Sequence, residues 1–210
     1  MNRRDTYRQY RNVGQDLNTD IFSAELDHDE IMDSAALLSI DTDGNEVHYE
    51  DEEQAVTHMD FALNDYRIDG QTAVERYRDA QAYESEAERE ILDHLIQAET
   101  SLFKITSVNP NQSQLVLTDL LSGEEEIKLT DINYSKSATP GILLFFRLVP
   151  CEQLNMTSGV SMPFPGQIEE HLLAVIEQVN EKVTAHHKDV IRFRTFFEMY
   201  RKYGYNATYV

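Results

Sequence analysis

The sequence predicts an α+β protein, in which a small antiparallel β-barrel or twisted sheet at about residues 101–150 is packed between N-terminal and C-terminal helices. Strand-like runs alternate with turn residues only in this middle stretch, whereas apolar residues on both sides recur at helical spacing. Runs of helix, then strands, then helix are typical of the α+β class. We therefore expect a helical lobe at 1–100, a β module with its connection at 101–165 and C-terminal helices at 166–210, all in one compact unit.

The N-terminal lobe is expected to contain short amphipathic helices. Residues 1–20 show no clear apolar period and are expected to form an arm or a short helix. Helical spacing follows at 27–38 and again at 50–66, where Val56 and Met59 are among the apolar residues at this spacing. Both segments begin with acidic residues, which interact favourably with the positive end of a helix dipole.

Two further helix starts are marked by capping boxes. Thr72 is followed by Glu75, and Ser85 is followed by Glu88, at the spacing that lets side chains and first-turn N–H groups bond reciprocally. The second of these helices leads directly into the first predicted strand.

Four short strands are expected in the middle of the chain. β-branched and aromatic residues alternate there with polar ones, and turn residues separate the runs at Asn109-Pro110-Asn111, Ser122-Gly123 and Pro140-Gly141. The expected strands are 102–108, 114–121, 125–130 and 142–149.

The C-terminal part is expected to be a connection followed by two helices. Pro163 and Pro165 disfavour regular structure, so 151–166 is predicted to be a long connection. A strongly amphipathic helix is predicted at 167–183, and an aromatic-rich helix at 189–203.

Two segments of the chain resemble uncharacterised bacterial proteins. Residues 65–72 (DYRIDGQT) are similar to a helix start in those proteins, and residues 119–124 (DLLSGE) are similar to a turn in the small β module that follows it. The resemblance covers about 59–150 and implies a helical segment followed by a small β module, without implying a reaction. Some of those proteins carry a C-terminal SEC-C zinc motif, but this chain lacks its cysteines, so no zinc site is implied.

The net charge is strongly negative and unevenly distributed. The 210 residues include 18 Lys and Arg against 38 Asp and Glu, a formal net charge of −20. Residues 1–11 and 182–210 together hold ten basic and three acidic side chains, so these ends carry +7 and residues 12–181 carry −27. An acidic body repels phosphate backbones, so nucleic acid is not an expected partner.

The composition also predicts a cytoplasmic protein. The first residues are polar and lack the apolar stretch of a secretory signal. The longest apolar run, 142–146, ends at Arg147 and is far shorter than the ~20 residues of a membrane-spanning helix. The single cysteine, Cys151, cannot form an intrachain disulfide, which fits a reducing compartment. We expect neither membrane association nor a cofactor.

The sequence around Gly44, Asp-Thr-Asp-Gly-Asn, is similar to part of a calcium-binding loop. Aligning Gly44 with the turn glycine of such a loop places Asp41 and Asp43 at ligand positions. Ser39 would then be a poor first ligand, and Glu46 stands where these loops have an apolar residue. A hairpin or plain turn needs only these turn-forming residues, and we expect one here.

No pattern indicates a catalytic site. The sequence has no Gly-x-Ser-x-Gly elbow, no glycine-rich phosphate loop and no His-Glu-x-x-His motif, and Cys151 has no histidine close in sequence. We therefore expect neither catalytic residues nor metal ligands. The alternative from another class is a metal-dependent hydrolase that acts on a phosphorylated small molecule, with the acids of 27–30 or 41–53 as metal ligands.

Three internal arginines, Arg67, Arg76 and Arg147, stand out from the acidic background. Arg147 interrupts the most apolar strand, where a charge must be paired or must face a cavity. Asp65 or Asp119 would be a suitable partner for it. The functional alternative is a pocket in which the three arginines bind an anion.

Segregated charge and the lack of a catalytic pattern favour a non-enzymatic cytosolic module that binds another protein or acts as an adaptor. The aromatic and basic C-terminal helix is the expected contact surface, because Arg and aromatic residues are enriched at interfaces. The alternative is that these aromatics form core. The expected binding residues are Lys188, Arg192, Arg194, Arg201, Arg67, Arg76 and Arg147.

Overall fold

The computed structural model describes residues 2–182 and 188–205. The chain divides into two compact units, Met1–Ala98 and Glu99–Val210, which are called unit 1 and unit 2 below. Unit 1 is built from helices and a short hairpin, and unit 2 is built from a five-stranded sheet and helices. The prediction of an α+β fold is confirmed.

Within the described residues, unit 1 contains five α-helices and one hairpin. The helices are α1 (Arg3–Glu25), α2 (His28–Leu37), α3 (Glu52–Asn64), α4 (Ala73–Asp79) and α5 (Glu86–Ile96). The hairpin strands are β1 (Asp41–Asp43) and β2 (Glu46–His48). The helices predicted from residue 27 to residue 96 are confirmed.

The first helix is much longer than predicted. α1 runs for 23 residues and buries Tyr7, Tyr10, Leu17 and Ile21 on one side. Because these positions mix tyrosine with aliphatic residues, the apolar period is weak in the sequence. The Tyr10 hydroxyl donates a hydrogen bond to Glu90 Oε1 of α5 at 2.7 Å, so a polar group on the buried side is satisfied.

Side chains determine where α4 and α5 begin. Thr72 Oγ1 accepts a hydrogen bond from the N–H of Glu75 at 3.2 Å, and Glu75 Oε2 accepts one from the N–H of Thr72 at 2.7 Å, which confirms this capping box. At α5, Ser85 Oγ accepts from the N–H of Glu88 at 3.2 Å, but Glu88 Oε2 accepts from the N–H of Glu84. The second predicted box is therefore only half formed.

The core of unit 1 lies where α3, α4 and α5 pack against α1. Each large apolar side chain that is fully buried contributes roughly 1.5–3 kcal/mol of transfer free energy. Members of this core with almost no exposure are Leu17, Ile21, Phe61, Leu63, Ile91 and Leu92.

Unit 2 contains all four strands that the sequence predicts and one more. The strands are β3 (Glu99–Asn109), β4 (Gln114–Asp119), β5 (Ile127–Thr130), β6 (Leu143–Pro150) and β7 (Asn155–Phe164). The helices are α6 (Tyr134–Ser137), α7 (Glu169–Lys182) and α8 (Lys188–Tyr203). Both predicted C-terminal helices are confirmed, although Val183, the last residue of the first one, lies outside the described residues.

The five strands of unit 2 form a mixed sheet that closes on itself. They pair in the order β3-β4-β5-β7-β6, and β6 also pairs with β3. β5 and β7 are parallel and share only the register pair Leu129–Asn155, so the prediction of a purely antiparallel sheet is wrong at this seam. Register shifts after Ile105 in β3 and after Phe146 in β6 bend these strands, as β-bulges do.

The prediction of a long connection at 151–166 is wrong, because β7 occupies most of it. Pro163 lies inside this strand, opposite Leu144 of β6. A proline lacks the N–H that a second neighbouring strand would need, and β5 pairs with β7 only at Asn155, near the other end. The Pro163 carbonyl accepts a hydrogen bond from the N–H of Tyr205 at 3.0 Å.

β6 is buried on both of its faces, which explains its continuous apolar sequence. On one face, Phe145 stacks on Phe196 of α8 with ring centroids 4.1 Å apart, and Phe193 meets it edge-on at 5.9 Å. The other face belongs to the core that the sheet encloses. Buried members of that core are Phe103, Ile105, Leu115, Leu117, Ile127, Leu129, Leu144 and Phe146.

Polar contacts also fix the C-terminal helices to the sheet of unit 2. Lys104 Nζ of β3 lies 2.8 Å from Glu169 Oε2 at the start of α7. Arg192 Nη1 of α8 donates a hydrogen bond to the Thr100 carbonyl of β3 at 3.0 Å. Across the described ranges, none of the helices is long and apolar enough to cross a membrane.

Candidate functional site

Residues 27–60 comprise α2, the β1–β2 hairpin and most of α3, and they are called the acidic segment below. The segment holds twelve Asp and Glu side chains and neither Lys nor Arg. No basic residue of these two types occurs between Arg11 and Arg67. Charges closer together than about 10 Å are incompletely screened at 0.1 M salt, so the segment presents a negative potential to solvent.

Carboxylates of the acidic segment cap its own helices. Asp27 Oδ1 accepts from the N–H of Glu30 at 2.9 Å, and Glu30 Oε2 accepts from the N–H of Asp27 at 2.8 Å, which completes a capping box. Asp51 Oδ1 accepts from the N–H of Gln54 at 2.8 Å, while Gln54 Oε1 accepts from the N–H of Glu50. Part of the negative charge is therefore used to start α2 and α3.

The predicted hairpin is confirmed between α2 and α3. Its antiparallel register runs from Asp41–His48 to Asp43–Glu46 and leaves a two-residue turn that begins at Gly44. Gly44 has a φ of +61°, a conformation that glycine adopts without steric strain. In the part of the chain that the structure describes, no group of three or more His, Cys, Asp or Glu side chains is placed to hold a metal ion.

Exposed apolar side chains are concentrated in the acidic segment. Six large hydrophobic side chains are exposed among the described residues, and four of them lie in this segment, between 37% and 46% exposed: Leu37, Tyr49, Val56 and Met59. Val56 and Met59 are one helical turn apart on the outer side of α3. Single exposed hydrophobic residues are ordinary, whereas a concentration of them is typical of an interaction surface.

Val56 and Met59 share the helical spacing of the other apolar residues of α3, but they lie on its exposed side. α3 buries a largely polar set of side chains instead, which is tolerated because buried polar groups find hydrogen-bond partners. The buried side of α3 consists of Gln54, Thr57, His58, Asp60, Phe61, Ala62 and Leu63.

His58 joins three parts of the acidic segment. Its Nε2 lies 2.8 Å from Ser34 Oγ of α2, and its Nδ1 lies 2.8 Å from the hydroxyl of Tyr49, which follows β2. Ser34 donates its one proton to the Ile31 carbonyl at 3.0 Å. With the Ser34 proton on this carbonyl, the imidazole donates from Nε2 and Nδ1 accepts the proton of the Tyr49 hydroxyl.

Burial keeps this chain of hydrogen bonds neutral. It lowers the pKa of His58 to about 4 and raises the pKa of Tyr49. Ser34 is fully buried, so its hydroxyl is not accessible to a substrate. The arrangement has the character of a structural link, which holds the Tyr49 ring beside the imidazole with ring centroids 5.8 Å apart.

Two of the arginines predicted to bind an anion are bonded to groups of unit 1. Arg67 Nη1 donates to Glu75 Oε2 and to the Gly70 carbonyl, both at 2.8 Å. Arg76 Nε donates to Glu25 Oε2 at 3.1 Å, and its Nη2 donates to the Glu25 carbonyl and lies 3.8 Å from Glu30 Oε1. Arg76 thereby connects α4 to the end of α1 and to the acidic segment.

The third of these arginines belongs to unit 2. Arg147 lies in β6 opposite Thr100 of β3 and is only 5% exposed. Asp119, one of the partners suggested by the sequence, accepts hydrogen bonds from the Ser101 hydroxyl at 2.6 Å and from the N–H of Leu121 at 2.8 Å. A shared anion pocket of the three arginines stays a prediction.

The three phenylalanines of α8 form core, as the alternative expectation held, whereas Tyr200 and Tyr203 are half-buried. Phe193, Phe196 and Phe197 are buried in unit 2. Arg192 also faces the sheet through its bond to the Thr100 carbonyl, and its Nη2 lies 3.7 Å from Asp189.

The remaining basic groups of α8 lie nearer the solvent. Arg194 Nε donates to Glu198 Oε1 at 2.8 Å, and the Arg201 guanidinium lies 5.8 Å from the centre of the Phe197 ring. Lys188 is half-buried at the first position of the helix. The predicted contact surface on α8 thus keeps its basic side chains but loses its three phenylalanines to the core.

A model of a family of unknown function, DUF7986, matches residues 1–210, the whole chain. Neither curated proteins nor solved structures give a match.

Proposed function

We propose that this chain, which belongs to the DUF7986 family of unknown function, is a non-enzymatic cytosolic module that binds another protein. The observation that carries the proposal is the concentration of Leu37, Tyr49, Val56 and Met59 on the outside of the acidic segment. Burying such side chains against a partner releases roughly 25 cal/mol for each Å² of apolar surface removed from water.

The acidic segment supports this role better than α8 does. It has four exposed large hydrophobic side chains, whereas the phenylalanines of α8 are buried. We propose Lys188, Arg194 and Arg201 as a second, purely electrostatic contact with acidic groups elsewhere on the partner, and charges at the rim of an interface mainly raise the association rate.

A photo-crosslinking residue placed in the whole protein tests the proposal. We expect that p-benzoylphenylalanine at Val56 or at Met59 captures one and the same protein in the cells from which the chain comes. The matched control is Ile96, an equally exposed hydrophobic residue on α5, from which this protein should not be captured. The same pattern of products from all three positions, or no product from positions 56 and 59, would contradict the proposal.

The partner identified in this way allows the contribution of α8 to be measured. We expect that Arg194→Ala combined with Arg201→Ala slows association by about threefold and reduces its dependence on salt, because both charges are near the surface. Unchanged association kinetics would remove α8 from the proposal and leave the acidic segment as the contact surface.

The metal-dependent hydrolase has less support. Asp27, Glu30 and Asp51, which belong to the acids suggested as ligands, accept backbone hydrogen bonds at helix starts. Elemental analysis of the purified protein separates the two functions, since a hydrolase of this kind would retain its metal in stoichiometric amount.

A further inference from the structure

We infer that the partner of the acidic segment is a cationic amphipathic helix of another protein. This inference rests on the proposed function and specifies the chemistry of the partner. Two properties of the surface determine that chemistry. The first is the sign of its charge, and the second is the spacing of its exposed apolar side chains.

The sign of charge selects a basic partner. The acidic segment has twelve carboxylates and neither Lys nor Arg. Glu52 lies one turn before Val56 on the exposed side of α3, and Glu46 is exposed on β2. An apolar contact with Val56 and Met59 therefore brings the rim of a partner close to Glu52, and Glu46 is a further exposed carboxylate of the acidic segment. A partner with acidic residues at this rim would be repelled, whereas Lys or Arg side chains there are attracted.

The form of the apolar part selects a helix. Val56 and Met59 are spaced by one turn along α3, and Leu37 lies at the end of α2, which packs against α3. Exposed apolar side chains that are spaced by one turn along a helix match the apolar stripe of an amphipathic helix at positions i, i+3, i+4 and i+7. An extended peptide would instead need a long free strand edge. β1 and β2 have only three residues each, so they offer few backbone hydrogen bonds for this mode of binding.

Synthetic helices of Leu and Lys test the inference without knowledge of the natural partner. The peptide has about 14 residues, with Leu on one face and Lys on the other. Two comparison peptides serve as controls. The first has the same composition in a scrambled order, and the second keeps the helical pattern but has Glu in place of Lys. Binding to the full-length protein is measured by fluorescence anisotropy at low and at physiological salt.

The apolar requirement is tested by Val56→Asn combined with Met59→Gln. We expect this variant to bind the Leu/Lys helix about tenfold more weakly, while the matched control Ile96→Gln changes the affinity by less than about twofold. All three replaced side chains are exposed, so folding should be preserved and is verified by thermal melting. If the double variant has a lower melting temperature than the wild type, Met59→Gln alone serves as the second variant.

The electrostatic requirement is tested with charge changes of equal size. Glu46→Gln with Glu52→Gln should weaken binding and flatten its salt dependence more than Asp16→Asn with Asp20→Asn, two exposed acids of α1 outside the segment. Equal effects of the two double variants would mean that only the net charge of the protein attracts the peptide, and would overturn the inference.

The remaining outcomes separate this inference from the proposed function. If the scrambled Leu/Lys peptide binds as tightly as the ordered one, the helical pattern is not recognised and the inference fails. If the Leu/Glu helix binds equally well and loses affinity in the Val56/Met59 variant, the surface binds proteins but the cationic partner is wrong. If the protein alone forms a dimer that this variant dissociates, the surface is occupied by a second copy, and the inference is overturned.

Discussion

At the scale of single residues, His58 determines the conformation of the acidic segment. A neutral imidazole donates from one ring nitrogen and accepts at the other, and here the hydroxyls of Ser34 and Tyr49 supply a partner for each nitrogen. The same contacts explain why Tyr49 stays exposed at one edge while its hydroxyl is bonded. A polar residue at the centre of the segment thus positions one of its apolar contact residues.

The titration of His58 predicts a pH dependence of stability. The pKa of its imidazole falls from 6.5 to about 4 on folding, so the unfolded chain binds more protons between these values. The contribution of His58 to the free energy of unfolding is therefore complete above pH 6.5 and declines as the pH falls through about 4. The full decline amounts to about 3 kcal/mol.

Many carboxylates titrate in the same range, so the comparison must be made with a variant that cannot titrate at this position. We expect that the stability difference between the wild type and His58→Gln, measured by urea unfolding, shrinks as the pH is lowered from 7 to 4. The pKa of His58 itself is followed by NMR. A value near 6.5 in the folded protein would show that the imidazole is not buried as described.

At the scale of secondary-structure elements, helix starts and the packing of α8 are the features with measurable consequences. Helix starts in unit 1 use side-chain caps, and α8 covers the outer face of β6 with phenylalanine side chains. A side-chain cap acts within its own helix and stabilises that helix as soon as it forms. The packing of α8 on β6 requires a contact between Phe145 and Phe196, which are about fifty positions apart in the chain.

Removing the cap of α5 should destabilise the protein by about 1 kcal/mol. Ser85 Oγ accepts from the N–H of Glu88, and Ser85→Ala leaves this donor without its side-chain acceptor. Ser85→Thr retains the hydroxyl at an exposed position and should recover most of the difference in free energy of unfolding. A loss of the same size in both variants would indicate that the cap itself contributes nothing.

Truncating a core residue of α8 should have a much larger effect. Phe196 is 1% exposed and stacks on Phe145, so Phe196→Ala is expected to cost about 3–5 kcal/mol of stability. Arg194→Ala on the exposed side of the same helix removes the pair with Glu198, and the loss of an exposed ion pair should cost less than about 0.5 kcal/mol. Chemical denaturation followed by circular dichroism provides both values. Similar losses for the two variants would contradict the assignment of α8 to the core.

At the scale of the whole molecule, the distribution of charge is the dominant feature. Residues 1–98 contain 25 acidic and 8 basic side chains, a net charge of −17, whereas residues 99–210 contain 13 and 10, a net charge of −3. The net charge of −20 therefore belongs almost entirely to unit 1. Like charges confined to one compact unit repel one another and oppose its folded state.

Salt should consequently stabilise the protein. Raising NaCl from about 20 mM to about 300 mM shortens the Debye length, and we expect a gain of roughly 1 kcal/mol, equivalent to a rise in Tm of about 2–4 °C for a chain of this size. KCl at the same ionic strength serves as the control for screening. A larger rise with CaCl2 at matched ionic strength would show that a cation binds to the carboxylates instead of merely screening them.

The sequence by itself determined the features that depend on neighbouring residues. Capping residues such as Thr72, the turn at Gly44, the alternation of apolar residues in β5 and the continuous apolar run of β6 are local signals, and they predicted the α+β class and most elements correctly. Only the tertiary structure decided which polar residues are buried. α1 and α3 bury Tyr10 and His58 because distant partners satisfy them, and β7 includes Pro163 because no second strand pairs there. These outcomes depend on groups far away in the chain, and so does the exposure of Val56 and Met59, which creates the proposed contact surface.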